Sequence, residues 1–131
     1  MLVTTLSRGM NIMETKQAII SFAQGEKVKS GLISCSQCVQ VAQNLPQAEQ
    51  VGAVKVIQAM VAMIANEAQL ARQASKDQVW LEVDKCLNTA RVMIESGVID
   101  EATYHFTQTL SQVNRISQKA MTHLVNSGLL G

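Results

Sequence analysis

VGAVKVIQAMVAMIANEAQLA, residues 51–71, is the longest uninterrupted apolar-periodic run in the chain. It holds no proline, and its one glycine falls near its start. Val51, Val54, Ile57, Val61, Ile64, Ala68 and Ala71 recur at steps of three and four, the signature of one helical stripe. A second stripe, Val56, Met60, Met63 and Leu70, runs beside it and leaves only a narrow polar edge of Lys55, Gln58 and Gln69. A helix apolar over most of its girth is buried on several sides. Its β-branched residues lower intrinsic helix propensity, so tertiary packing must supply most of its stability. The strongly apolar part, Val51–Ala65, falls short of the roughly 20 residues a bilayer span needs, and Lys55 and Gln58 lie inside it. The expectation is a core helix rather than a membrane span.

The remainder of the chain reads as shorter amphipathic pieces able to pack on this helix. A first helix is expected from about Met13–Thr15 to Ser30. In Ser30-Gly31-Leu32-Ile33-Ser34, Gly31 is expected to stop it in the left-handed conformation, and Ser34 to cap the next. That next helix, Cys35 to about Asn44, is short and ends before Pro46, which disfavours helix at the residue preceding it. Pro46 suits the start of the central helix, about Gln47–Gln73. Ser75-Lys76-Asp77 reads as a turn with a capping residue. A fourth helix follows over about Asp77–Ser96 and a fifth over about Glu101–Asn126. Ser96-Gly97-Val98-Ile99-Asp100 repeats the stop device, with Asp100 as cap, and Ser127-Gly128-Leu129-Leu130 repeats it in truncated form. No stretch alternates with period two for long enough to make a strand. The predicted fold is all-α, an antiparallel helical bundle of four long helices and one short one. Residues 1–13 are expected to form a flexible leader and 14–131 a single domain.

Gly97-Val98-Ile99-Asp100-Glu101-Ala102, followed by Phe106 and Leu110, resembles the inter-helix turn and second helix of a tetratricopeptide repeat. The resemblance covers about fifteen residues, Thr109 stands where that family prefers Ala, and no second copy follows at the family's step of about 34 residues. It implies an antiparallel helix pair and nothing more.

Composition excludes several functions. A net charge of +1 gives no global field for nucleic acid, and one Trp, one Tyr and two Phe leave little to stack on bases. Charged residues are 16% of the chain, against about 25% in ordinary domains. A low-charge helical chain rich in Ala, Val and Met often buries surface against another copy or partner. The N-terminal stretch lacks the apolar core of a secretory signal, and three cysteines are an odd number, so free thiols in a reducing compartment, the cytoplasm, are expected.

Cys35-Ser36-Gln37-Cys38 is the one constellation with evident chemical potential. At a helix start the first thiolate of a C-x-x-C would be stabilised by unpaired N–H groups and the helix dipole. Cys86 could add a third thiolate for a soft metal. No βαβ pattern, second C-x-x-C or neighbouring His accompanies the motif, and free Cys is also a common core residue. His105 and His123 lie about 27 Å apart along one helix, which excludes joint ligation of one ion. The carboxylates are scattered, no Glu-x-x-His pair occurs, and no phosphate-binding or nucleophile motif is present.

The sequence therefore predicts a non-catalytic interaction module that needs no cofactor. Val56, Met60, Met63 and Leu70 would carry self-association or receive an amphipathic partner helix, with neither nucleic acid nor a membrane span involved. A thiol or soft-metal site at Cys35, Cys38 and Cys86 is the alternative reading, and a small-ligand pocket between helices a second.

Overall fold

The apolar run of residues 51–71 lies inside the second of four helices in the computed structural model, which describes the backbone of residues 2–128 and the side chains of residues 15–128. The helices are α1 (Leu2–Gln43), α2 (Gln47–Ser75), α3 (Val79–Glu95) and α4 (Ile99–Asn126). Each packs on its neighbours in sequence, and α4 closes the ring on α1. Cross-helix contacts fix the directions. Gln24 on α1 donates to Glu67 on α2 at 3.0 Å, Arg72 on α2 pairs with Asp84 on α3, and Thr15 on α1 meets His123 on α4 at 3.1 Å. Every adjacent pair is thus antiparallel, the up-down-up-down arrangement that short connections favour.

The core follows from periodicity. Ile57, Val61, Ile64, Ala68 and Ala71 of α2 are buried, as the first stripe requires. The stripe's head is not: Val54 is half-buried and Val51 is 60% exposed, where the helix starts at the edge of the bundle. The buried residues meet Val28, Leu32, Cys35 and Val39 of α1, Trp80, Val83 and Leu87 of α3, and Phe106 and Val113 of α4. A smaller cluster of Ala18, Phe22, Ala120 and Leu124 closes the end where α1 and α4 meet.

The expected break at Gly31 does not occur. The helix passes through Ser30–Ser34 without interruption, so the separate short helix from Cys35 is the last fifth of α1. Glycine serves there for close approach rather than for a turn. A β-carbon at position 31 would stand 2.8 Å from Ile64 Cγ1, and one at Gly25 would stand 2.5 Å from Ser117 Oγ. The two missing side chains let α1 draw close to α2 and α4, which offsets the cost of glycine inside a helix, about 1 kcal/mol each relative to alanine.

The other stop signals act as read. Gly97 is left-handed at φ 81°, its N–H bonds Ile94 O at 3.1 Å and the Val98 N–H bonds Met93 O at 2.9 Å, a complete Schellman closure. Gly128 is also left-handed, while Leu129 and Leu130 lie outside the described residues. Lys76 ends α2 at φ 57°; Gln78 occupies the cap of α3 without a side-chain bond, and Asp77, one residue before it, accepts the Val79 N–H at 3.0 Å. Asp100 is a correction. Val98 occupies the cap of α4 without a side-chain bond, and Asp100 lies inside the first turn. There its charge complements the positive end of the helix dipole. The expected leader, residues 1–13, falls where side chains lie outside the described residues.

Candidate interaction surface

The outward side of α2 is the largest departure from what a bundle helix needs. Its core stripe uses one face, and α1 and α3 cover the flanks. On the side opposite the core, Val56 is 59% exposed, Met63 70% and Leu70 47%. These three recur at steps of seven, so they form one seam along the helix rather than scattered surface residues. A second row, Gly52, Ala59, Asn66 and Gln73, runs alongside at the same step and is exposed throughout. Large residues alternate with small or polar ones along the seam. Among the described residues, exposed apolar side chains elsewhere do not form such a row: on α1, Ile19 and Ile33 are separated by the charged Glu26.

Sequence reasoning placed Met60 in this set, and the structure does not. Four residues beyond Val56, a side chain turns about 40° toward the buried stripe. Met60 is accordingly half-buried and packs against the core. Val56, Met63 and Leu70 remain together. The row of small residues went unread, although its seven-residue step is visible in the sequence.

Gly52 stands apart from the other helical glycines. Nothing lies within 4 Å of where its β-carbon would be, and its backbone is not left-handed. Packing inside this chain gives no reason for glycine there. Charge along α2 is sparse: Glu49 in the first turn, Lys55, Glu67, whose carboxylate accepts from Gln24, then Arg72, paired with Asp84 of α3, with Lys76 beyond the last turn.

The thiol constellation loses the basis on which it was read. Because α1 is continuous, the Cys35–Cys38 pair sits near a helix C-terminal end, where no free N–H groups stabilise a thiolate. Cys35 is wholly buried, and its thiol is pushed up to about 12, by burial first and by the neighbouring Cys38 second. All three cysteines are free, and Cys38 is partly buried against the core. Among the described residues, no three His, Cys, Asp or Glu side chains gather to hold a metal ion, so Cys86 does not complete a site with the other two.

Two solvent-open hollows bear on a small-ligand reading. One, about 540 Å³, lies at the end of the bundle between Ser21, Asp77, Lys119 and His123; Ser75 in its wall already donates to Ala71 O at 2.6 Å. The other, about 460 Å³, runs between α2 and α3 beside Asn66, Asp84 and Arg91. Burial holds the Asp84 carboxyl above the ordinary carboxylate range, opposed by Arg72 at 3.8 Å. Both are polar furrows and lack the enclosed apolar walls of a ligand pocket.

Against protein-family models, curated proteins and solved structures, the chain matches none.

Proposed function

We propose that this chain is a non-catalytic interaction module that associates with a second copy of itself through the outward face of α2. The observation that carries the reading is the exposed row Val56, Met63 and Leu70 at a strict seven-residue step. Such a row is the seam of a helix pair, and water is a poor partner for it. By length and composition alone α2 also meets the requirement for crossing a membrane. Its buried stripe is occupied by the other three helices, however, which supports a protein partner on the remaining face. Free cysteines suit action in a reducing compartment such as the cytoplasm.

The test is the triple variant Val56→Gln, Met63→Gln and Leu70→Gln. All three side chains are exposed, so the monomer fold should lose no more than about 0.5 kcal/mol per site. Sedimentation velocity should show an oligomer for the natural chain and a monomer for the variant, with unchanged helix content by circular dichroism. A natural chain that remains monomeric at about 100 μM, roughly 5 kcal/mol of association, would end the proposal.

A further inference from the structure

Resting on that reading, we infer that two copies pair their α2 helices antiparallel about a two-fold axis, with Leu70 of each copy seated over Gly52 of the other. Three independent features of the seam point to this geometry.

The first is size. In an antiparallel pair the row of large residues faces the row of small ones, so the layers read Gly52 with Leu70, Val56 with Asn66 and Ala59 with Met63, each occurring twice by symmetry. Every layer then has similar volume, and the two helices run at constant separation. A parallel pair would set Met63 on Met63 and Gly52 on Gly52, alternating crowding with voids. Sliding the antiparallel register by one heptad sets Leu70 opposite Leu45, before α2 begins, or Gly52 opposite Asp77, beyond its end, so in either case the Leu70–Gly52 layer is lost.

The second is Gly52 itself. It carries the helix cost of glycine, about 1 kcal/mol relative to alanine, with open space around it and no positive φ to explain it. A Leu70 side chain arriving from a second copy needs that space.

The third is charge. The antiparallel register brings Glu49, in the first turn of one α2, beside Gln73 of the other, three residues from Lys76. The opposed helix dipoles add in the same direction. A parallel pair would set Glu49 against Glu49 and Lys76 against Lys76. A lipid surface suits this face less well, because the seam has neither an aromatic residue nor a row of basic residues along its edge.

The experiment uses the full chain with Cys38→Ala and Cys86→Ala, leaving buried Cys35 in place. Gly52→Cys and Leu70→Cys are made separately and treated with a short bis-maleimide, alone and mixed. Like positions lie about 27 Å apart in the antiparallel pair, so each variant alone stays uncrosslinked and only the mixture gives a covalent dimer. Self-crosslinking of Gly52→Cys, or a sedimenting dimer that crosslinks in no sample, overturns the antiparallel register while leaving self-association standing. A monomer in sedimentation removes both, as does a monomer that co-sediments with vesicles of anionic and zwitterionic phospholipid. Gly52→Ala gives a second readout free of crosslinking. The antiparallel geometry requires a rise in the dimer dissociation constant of about tenfold or more together with a higher melting temperature under monomeric conditions, because the methyl helps the helix and crowds Leu70. An unchanged dissociation constant for Gly52→Ala overturns the seating of Leu70.

Discussion

Gly31 of α1 lies so close to Ile64 of α2 that a β-carbon at position 31 would meet Ile64 Cγ1 at 2.8 Å and Cδ1 at 3.2 Å. Two opposing effects decide the outcome of Gly31→Ala. Helix propensity favours alanine by about 1 kcal/mol, while forcing a methyl into a packed contact costs typically about 1–3 kcal/mol. The atom in the way is the stem of a β-branched side chain, which cannot swing aside. Crowding wins, and Gly31→Ala should lower unfolding free energy in urea by about 1 kcal/mol. In an Ile64→Ala background the same substitution should become neutral or favourable, and a double-mutant cycle would read the coupling.

Ser117 sets the converse case. Its Oγ is buried without a hydrogen-bond partner and stands where a β-carbon on Gly25 would go. An orphaned buried hydroxyl costs about 1–3 kcal/mol, and alanine is also the better helix former. Ser117→Ala should therefore raise stability by about 1 kcal/mol in thermal or denaturant unfolding. A loss of similar size would mean that the hydroxyl has a bonding partner after all.

These glycines also mark where the sequence was legible and where it was not. Local chemistry that terminates a helix by φ alone was readable: Gly97 and Gly128 are left-handed. Gly31 carries the same neighbours, Ser before and two apolar residues after, yet it is helical because Ile64 needs the room. That cause lies 33 residues along the chain from Gly31 and leaves no local trace. The same limit moved the Cys35–Cys38 pair from a presumed helix start to a helix end and removed the electrostatic case for a reactive thiolate. On α2 the buried stripe was legible from Ile57 to Ala71, where period and burial agree, while Val51 keeps the period and is exposed. Met60 was misassigned because two stripes 40° apart cannot be told from one broad face until the neighbouring helices are placed.

Cys35 predicts a pH dependence. Its thiol titrates at about 12 when folded, raised from an unperturbed 9.0. A raised acid holds its proton in the folded chain after the unfolded chain has lost it. The stabilisation is therefore complete below pH 9 and drains away as pH rises toward about 12. Urea midpoints should fall across that alkaline window, and Cys35→Ala should flatten this part of the profile at the cost of a small cavity. In labelling at neutral pH, Cys35 should react only when denaturant is added, and rapid modification of the folded chain would contradict its burial.

Glu49 offers a test of the α2 pairing that needs no crosslinker. In the antiparallel register it lies at the end of the second copy's α2 that Lys76 closes. Glu49→Lys replaces two attractive contacts per dimer with two repulsive ones. Exposed pairs are worth about 0.2–1 kcal/mol each, so the dimer dissociation constant should rise about three- to tenfold at low salt and less at high salt. Adding Lys76→Glu to the same chain reverses both partners and should recover most of the affinity. A parallel pair behaves differently: Glu49→Lys exchanges one like-charge contact for another, leaves the dissociation constant nearly unmoved, and gains nothing from the second substitution. Sedimentation equilibrium of the two variants at two salt concentrations separates these outcomes, because only facing opposite charges make the double variant tighter than the single one.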